Sequence, residues 1–288
     1  MKLLVANRGE IAVRIMRTAR EMGVATVAVY SEADAGSLHA RTADESVAIG
    51  RTPPGESYLS IQKLLAAAAQ TGCDAVHPGY GFLSENAGFA QAVLDAGLVW
   101  VGPPPAAIAA MGEKYGARER MRAAGVPVVP GGLADDPSVG ALPFPLLVKA
   151  TAGGGGRGMR IVLRPDELEG AIAAASAEAL AAFGNGTVYV ESLVLGARHI
   201  EVQVLADKRG TTVALGLRQC SIQRRHQKLI EQSPPANLPQ SVCEAMSAAA
   251  VNAANAVRYV GAGTVEFLVA PDGSFYFIEM NTRIQVEH

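Results

Sequence analysis

Short apolar segments alternate with helical segments through the first hundred residues, and this alternation constrains the fold more than any other feature. Strands are predicted at residues 3–6, 24–30, 46–49, 75–77 and 99–101. Helices are predicted at residues 11–22, 61–69, 86–96 and 114–124. Short apolar strands separated by helices indicate a mostly parallel sheet with helices on both faces. We therefore expect a doubly wound α/β domain over residues 1–112.

The turn after the first strand argues against nicotinamide binding in this domain. It reads Asn7-Arg8-Gly9-Glu10, whereas a dinucleotide site requires G-x-G-x-x-G at this point. A doubly wound domain without a dinucleotide is therefore favoured.

Composition excludes several classes of protein. Of the 288 residues, 49% are hydrophobic and 18% are charged, which is too apolar for a disordered chain. The formal net charge of -2 does not favour a general nucleic-acid surface. No apolar run approaches the roughly 20 residues of a membrane span, and the N-terminus lacks the apolar core of a signal peptide. Three widely spaced cysteines suggest neither disulfides nor a zinc site. We expect a cytoplasmic protein that binds neither membrane nor nucleic acid.

The second half of the chain has a different pattern. A Gly- and Pro-rich connection at 131–145 is followed by a strand at 145–150. Ala-rich helices are predicted at 165–183 and 239–259. Apolar and polar residues alternate in the stretch 187–232, which predicts antiparallel sheet, and a hairpin is predicted over 263–281.

Four consecutive glycines, Gly153 to Gly156, follow Lys149 at the end of a predicted strand. Glycines allow several backbone N–H groups to approach one anion, and a lysine adds a positive charge. The glycines join two strands rather than opening a helix, so this is not a Walker loop. The run is interpreted either as a flap over phosphates or as a mobile hairpin linker.

The C-terminal hairpin is predicted to pair two glutamates. Asp272-Gly273 suits a two-residue type I′ turn, which would pair Pro271 with Ser274 and therefore Glu266 with Glu279. Like charges facing each other in partly buried strands are destabilising. A divalent cation bound by both carboxylates would neutralise them, with Asn281 on the same face. A shared proton or a salt bridge to Lys or Arg are the alternatives.

Two further groups of polar residues surround this hairpin. Arg283 suits the binding of a planar oxyanion, and Glu287 could act as a general base. The alternative is that both residues lie on a solvated edge strand without a role in chemistry. The run from Gln223 to Lys228 is cationic and is either a solvated face or part of a site. Cys220 is interpreted as a core thiol.

Five strings, in this order, closely resemble biotin carboxylase, the ATP-grasp component of the biotin-dependent carboxylases, along essentially the whole chain. They are Ala6-Asn-Arg-Gly-Glu-Ile-Ala12, His77-Pro-Gly-Tyr-Gly-Phe-Leu-Ser-Glu-Asn86, Gly153-Gly-Gly-Gly-Arg-Gly-Met159, Arg224-Arg-His-Gln-Lys228 and Glu279-Met-Asn-Thr-Arg-Ile-Gln-Val-Glu-His288.

The resemblance implies a pre-ATP-grasp domain over 1–112 and an ATP-grasp domain over 113–288, with a glycine-loop lid at about 131–193 and an incomplete C-terminal subdomain. It implies carboxylation of biotin with ATP and bicarbonate, through carboxyphosphate, as the first half-reaction of an acyl-CoA-type carboxylase. It also implies Mg²⁺ or Mn²⁺, a biotin carboxyl carrier protein or domain, a carboxyltransferase and a homodimer.

Site residues are carried over by matching position. The nucleotide contacts are Lys114, Lys149, Gly155, Gly156, Met159, Glu191, Ser192, Leu193, Val194, His199, Gln223, His226, Glu266, Leu268 and Glu279. The metal ligands are Glu266, Glu279 and Asn281. The bicarbonate site comprises Lys228, Arg283, Gln285, Val286 and Glu287, with Lys228, Arg283 and Glu287 in the catalytic step and Glu287 as the base.

The chain departs from the family at three positions. Leu217 and Gln219 replace a glutamate and an aspartate, and Gln232 replaces the second of two glutamates. We expect these changes to remove carboxylates next to the site. The family's unit also continues past residue 288, where it supplies an arginine and much of the biotin-facing surface. Another ATP-grasp ligase of the carbamoyl-phosphate type, and a catalytically silent nucleotide-binding module, are the alternatives.

Overall fold

The structure, a computed structural model, describes residues 1–151, 159–224 and 227–287. Its first part is a five-stranded sheet in the order β3-β2-β1-β4-β5. The strands are β1 Lys2–Val5, β2 Ala25–Ser31, β3 Glu45–Gly50, β4 Ala75–His77 and β5 Val99–Trp100. All neighbouring strands are parallel. The predicted parallel, doubly wound sheet is therefore confirmed.

Helices cover both faces of this sheet because its strands are apolar on both sides. They are α1 Gly9–Glu21, α2 Leu38–Thr42, α3 Ile61–Thr71, α4 Ala87–Asp95 and α5 Pro105–Gly112. Leu3 and Val5 enter one core with α1, and Leu4 enters a second core with Phe89 of α4. Helices α2 and α5 were not predicted. Met22, the last residue of the helix predicted at 11–22, follows the last helical residue and is 71% exposed.

The turns that follow β1 and β4 are tied together at one edge of the sheet. The Asn7 side-chain amide donates hydrogen bonds to the carbonyl oxygens of Pro78 and Tyr80, both at 2.7 Å. Gly79 has a φ of +66°, and a Cβ there would lie 2.9 Å from the Asn7 amide nitrogen. This contact fixes the start of the loop that runs from His77 to α4.

A second, four-stranded antiparallel sheet has the order β6-β9-β7-β8. Its elements, preceded by α6 Lys114–Ala123, are β6 Gly131–Leu133, β7 Leu146–Ala150, β8 Arg160–Val162, α7 Leu168–Phe183 and β9 Val188–Ser192. Helix α7 packs on it through Ala171, Ile172 and Ala175. Residues 131–145, which we expected to be a connection, supply β6 and a 3₁₀ turn, so they belong to this sheet.

A third sheet has five antiparallel strands in the order β12-β11-β10-β13-β14. Its elements are β10 Arg198–Ala206, β11 Thr212–Arg224, β12 Gln227–Gln232, α8 Gln240–Ala256, β13 Gly261–Val269 and β14 Phe275–Asn281. The stretch 187–232 was predicted as one sheet. It contributes β9 to the second sheet and β10–β12 to the third. None of the helices in the described ranges has the length and hydropathy to cross a membrane.

The hairpin β13–β14 reaches the predicted register by a different route. The two-residue turn is wrong, because Ala270 rather than Pro271 pairs with Ser274 across a three-residue loop. Phe267 then pairs with Phe277, but Glu266 pairs with Glu279, so Ile278 forms a bulge. The extra loop residue shifts the register by one position and the bulge shifts it back. The predicted pairing of the two glutamates is therefore confirmed.

Candidate active site

The face of the third sheet turned away from α8 is polar. Because side chains alternate along a strand, Glu201, Glu266 and Glu279 lie side by side on this face across β10, β13 and β14. The intervening residues, such as Val202 and Phe267, are fully buried in the core against α8. One alternating pattern therefore produces both the core and a row of carboxylates.

A cavity of about 570 Å³ lies between this polar face and the second sheet. Predicted site residues lining it are Lys114, Lys149, Met159, His199, Gln223, Lys228, Glu266, Leu268, Glu279, Asn281, Arg283, Gln285 and Glu287. Glu191, Ser192, Leu193, Val194 and Val286 are not among its lining residues. Gly155, Gly156 and His226 lie outside the described residues.

Glu266 is buried and is contacted by three side chains. His199 Nε2 lies 2.7 Å from its Oε2, while Lys228 Nζ and Asn281 Nδ2 donate to its Oε1 at 2.9 and 2.7 Å. Burial raises the pKa of this carboxyl, but His199 and Lys228 outweigh that effect and hold the pKa at about 2. Gln223 donates to His199 Nδ1 at 2.7 Å, which leaves His199 Nε2–H to donate to Glu266. Glu266 is therefore ionised.

Glu279 has a different environment, although it pairs with Glu266. Burial and the neighbouring Glu266 raise its pKa, and Lys114 only partly offsets this. Within the described part of the chain, no hydrogen bond or ion pair reaches its carboxylate. Two facing carboxylates, one without a neutralising partner, suit a hard divalent cation.

The third predicted ligand, Asn281, bridges the two ends of the cavity. Its Nδ2–H donates a hydrogen bond to Glu266 Oε1, and its Oδ1 accepts one from Arg283 Nη2 at 3.1 Å. A cation would compete with Arg283 for this oxygen. The donor set of two carboxylates and one amide oxygen fits Mg²⁺ or Mn²⁺.

Lys228 joins the predicted metal ligands to the predicted bicarbonate residues. Its ammonium contacts both Glu201 and Glu266. Burial lowers the pKa of Lys228, but the two carboxylates outweigh it and raise the pKa overall. Arg218 Nε donates to Glu201 at 2.5 Å, and its Nη2 donates to Gln285 at 2.9 Å. The network thus keeps Lys228 charged and fixes the Gln285 side chain.

Two further lysines, Lys114 and Lys149, line the cavity. Lys149 on β7 forms an ion pair with the buried Glu191 and lies 5.9 Å from the centre of the Tyr189 ring. Lys114, the first residue of α6, has its pKa lowered by burial, with Glu279 opposing that effect. Ser192 to Val194 lead from β9 toward β10, and the Leu193 N–H donates to Pro145 at 2.9 Å.

Arg283 and Glu287 lie past the end of β14. Arg283 Nε donates to Glu85 at 3.1 Å, and Nη1 donates to the carbonyl of Ile284 at 3.3 Å. Burial and Glu287 raise the pKa of Glu231 to about 7, so a carboxyl on β12 lies close to the predicted base.

Two other features of the described residues do not compete with this site. Ligand atoms of Glu201, Cys220 and Glu231 lie within 4.8 Å of one another, but Glu201 already binds Arg218 and Lys228. Burial also raises the pKa of Cys220 to about 12, so the thiol is protonated, as expected for a core cysteine. A larger cavity of about 720 Å³ beside α8 lacks paired carboxylates among its lining residues.

The three departures from the family face away from the cavity. Leu217 pairs with Val202 and Gln219 with Ile200, so both lie on the core face of the sheet. Leu217 packs against the core, and the Gln219 side chain accepts a hydrogen bond from Arg198. Gln232 pairs with Gln219 and is exposed. The expectation that these substitutions remove carboxylates from the site is therefore wrong.

Comparison with known proteins agrees with this geometry. The family model "Biotin carboxylase, N-terminal domain" matches residues 1–108, and "Carbamoyl-phosphate synthase L chain, ATP binding domain" matches residues 113–288. Biotin carboxylase 1, chloroplastic, of Populus trichocarpa is 54% identical over 294 residues, covering 100% of this chain and 56% of that protein. The chain belongs to the biotin carboxylase family.

Solved structures confirm the expected ATP-grasp fold. The biotin carboxylase–beta-gamma-ATP complex from Campylobacter jejuni has a TM-score of 0.94 and 47% identity, covering 100% of this chain and 66% of that one. The biotin carboxylase domain dimer of Hydrogenobacter thermophilus 2-oxoglutarate carboxylase, in complex with MgADP, ADP and bicarbonate, has a TM-score of 0.91 and 44% identity, covering 100% and 65%. The chain thus spans 56% to 66% of the length of these biotin carboxylases.

Sequence reasoning missed several residues around the site. Glu201 and Arg218 are buried in the polar face, yet Glu201 appeared only as part of an alternating pattern. That pattern was the available signal, because a glutamate between buried valines and isoleucines needs a partner. Glu85 lies within one of the five strings that carry the resemblance, but nothing in that string indicates a contact with Arg283, 198 residues later.

Proposed function

We propose that the protein carrying this chain carboxylates biotin with ATP and bicarbonate, the biotin being held on a carrier protein or domain. The observation that carries the proposal is the convergence of two sets of residues in one cavity. Glu266 and Glu279 lie there beside Lys149, and Arg283 and Glu287 lie there as well. This arrangement suits a nucleotide phosphate chain next to a small anion.

The nucleotide end is formed by the two lysines and the carboxylate pair. Lys114 and Lys149 supply positive charge to phosphate oxygens, and His199 and Gln223 border the same space. The sequence-predicted contacts Glu191 to Val194, Leu268 and Met159 would hold the rest of the nucleotide. The predicted flap Gly153–Gly156 over the phosphates lies outside the described residues and stays a prediction.

Glu266, Glu279 and Asn281 would hold Mg²⁺ or Mn²⁺. When bound, the ion would supply positive charge that neutralises the charge developing on the transferred phosphoryl group. Lys228 and His199, which contact Glu266 in this structure, keep that carboxylate ionised and therefore able to bind a cation.

The bicarbonate end would be formed by Arg283, Lys228 and Gln285, which line the cavity, with Val286 as a further sequence-predicted contact. The positive charges and hydrogen-bond donors of these residues hold bicarbonate beside the γ-phosphate. The two reactants are then already positioned and do not have to meet by diffusion. Glu287 takes the proton from bicarbonate as its oxygen attacks the γ-phosphorus. The bond from that phosphorus to ADP breaks, giving carboxyphosphate and ADP.

Carboxyphosphate then breaks at its C–O bond to give CO₂ and phosphate. The ureido nitrogen of biotin attacks CO₂ and gives its proton to the phosphate just released as the new C–N bond forms. Because carboxyphosphate reacts with water, the second sheet must close over the cavity during this step. A carboxyltransferase would use the carboxybiotin, and a homodimer and a cytoplasmic location complete the proposal.

The family model over residues 113–288 favours a second candidate, a carbamoyl-phosphate-type ligase. Both activities begin by phosphorylating bicarbonate, but the second nucleophile is ammonia in one case and biotin in the other. The match of residues 1–108 to a biotin carboxylase domain supports biotin.

ADP release by the full-length protein, with and without bicarbonate, free biotin or ammonium, tests the proposal. We expect hydrolysis that depends on bicarbonate and increases with biotin, because biotin consumes the CO₂ formed. Stimulation by ammonium instead of biotin would support the second candidate. No bicarbonate-dependent release would indicate a silent nucleotide-binding module.

A further inference from the structure

Arg283 is held by a carboxylate that lies 198 residues earlier in the chain. Glu85 Oε2 accepts the hydrogen bond from Arg283 Nε at 3.1 Å, and Glu85 Oε1 accepts one from the backbone N–H of Thr282 at 3.0 Å. One carboxylate therefore fixes both the backbone before Arg283 and the base of its guanidinium group. This contact joins the parallel sheet to the candidate bicarbonate site.

The backbone that presents Glu85 is itself rigid. Asn86, the next residue, caps α4, because its side chain accepts a hydrogen bond from the Phe89 N–H at 2.8 Å. The preceding Ser84 is buried, and its N–H donates to Gly81 at 3.0 Å. A carboxylate on such a rigid segment can orient Arg283, because its backbone has little conformational freedom left to lose when the contact forms.

Arg283 has other carboxylates within the same cavity. Glu279 and Glu287 line it, and an ion pair with either would withdraw Arg283 from an incoming anion. A small cavity of about 180 Å³, lined by Ser84 and Thr282 among others, lies on another side of Arg283 and leaves it room to move. The bond from Nε to Glu85 opposes both displacements.

We propose that Glu85 is a positioning residue for bicarbonate, acting through Arg283 and Thr282 rather than by contact with the anion. The inference rests on the proposed function, because it assigns Arg283 to bicarbonate. Glu85 holds Nε, while Nη1 donates to the Ile284 carbonyl and Nη2 to Asn281 Oδ1, so the guanidinium plane is set where Arg283 lines the cavity. Bicarbonate affinity should therefore depend on Glu85, whereas ATP affinity should not.

The test compares Glu85→Gln and Glu85→Asp with wild type in the full-length protein. Glutamine can still accept from the Thr282 N–H but loses the charge that holds Arg283. We expect the KM for bicarbonate to rise about tenfold, equivalent to about 1.4 kcal/mol for one charge-assisted hydrogen bond, with the KM for ATP within about twofold. Glu32→Gln, a change at an exposed glutamate, is the matched control and should leave both values unchanged.

A double-variant cycle separates positioning from a general structural role. In an Arg283→Lys background, Glu85→Gln should add less than about a twofold rise in bicarbonate KM, because the Nε–H that it holds is already gone. A full additional tenfold rise, an unchanged bicarbonate KM in both Glu85 variants, or an equal rise in the KM for ATP would overturn the inference. A wild-type protein without bicarbonate-dependent ATP hydrolysis would instead remove the proposed function, and the inference with it.

Discussion

In the parallel sheet, β3-β2-β1-β4-β5, alternate residues of each strand enter two apolar cores, whereas in the antiparallel sheet, β12-β11-β10-β13-β14, only one face does. The other face of the antiparallel sheet carries the row Glu201, Glu266 and Glu279. The parallel sheet contributes to the site only through a loop at the carboxyl ends of its strands, where Glu85 lies. Open parallel sheets generally place functional residues at that edge.

The comparison leads to different expectations for substitutions in the two sheets. A polar side chain in the middle of an antiparallel strand can be removed without opening an apolar core, so its loss should affect chemistry more than stability. A buried side chain at the end of a parallel strand should affect stability more than chemistry. Substitutions at Glu279, at His77 and at two helix caps test this difference.

The largest effect is expected for Glu279→Gln on the polar face. ATP turnover should fall by about 10²–10³-fold, as for the loss of one group that stabilises transition-state charge. Stability should increase at pH 7. The folded-state pKa of Glu279 is raised by burial and by Glu266, so its ionised form costs stability that neutral glutamine does not.

ADP release and urea unfolding of the same preparations measure both effects. Glu169→Gln, at an exposed position on α7, is the control and should change neither. Retained Mg²⁺-dependent turnover would remove Glu279 from the metal site. A loss of stability together with activity would show that the polar face is needed for folding.

Residues in regular patterns were the easiest to predict from the sequence. The pairing of Glu266 with Glu279 was predicted correctly although the turn was wrong, because a bulge at Ile278 compensates for one extra loop residue. Side-chain period fixes which face a residue occupies, and burial of the apolar face enforces that choice whatever the turn. The alternation of apolar and polar residues therefore constrained the strand pairing more than the type of turn did.

Contacts between distant segments could not be predicted in the same way. The effect of Leu217 and Gln219 was misjudged because their proximity to the site in sequence was taken as proximity in space, whereas alternation turns them to the core. The contact of Glu85 with Arg283 depends on how two sheets pack, and no local pattern of either segment records that packing. Secondary structure and strand register could be predicted from the sequence, but contacts between distant segments of the chain could not.

A second, smaller effect is expected at His77, at the end of β4 in the parallel sheet. Burial lowers its pKa from 6.5 to about 4, and its Nδ1 accepts a hydrogen bond from the Gly79 N–H at 3.0 Å. Between pH 6.5 and 4 the unfolded chain binds a proton that the folded chain does not. Stability should therefore fall as the pH falls through this window, by roughly 3 kcal/mol in total.

Asparagine at this position keeps an acceptor for the Gly79 N–H but does not titrate. The free energy of unfolding of His77→Asn, measured by urea titration at several pH values, should lack this part of the pH dependence. Equal slopes of the free energy of unfolding against pH for wild type and His77→Asn would show that the folded protein does not keep His77 neutral in this range. Its bicarbonate and ATP KM values at pH 7 should stay within about twofold of wild type.

The smallest effect is expected at the caps of two helices beside the parallel sheet. The Asn86 side chain accepts from the Phe89 N–H at 2.8 Å, whereas Ser60 accepts from the Lys63 N–H at 3.5 Å. Asn86→Ala should lower the free energy of unfolding by about 1 kcal/mol, and Ser60→Ala by less, because the longer bond is weaker. Thermal melts of both variants show which of them loses more stability.

Since Asn86 adjoins Glu85 but does not contact Arg283, its loss should change the bicarbonate KM far less than Glu85→Gln. A comparable rise in KM would mean that the cap, rather than the carboxylate, orients the arginine.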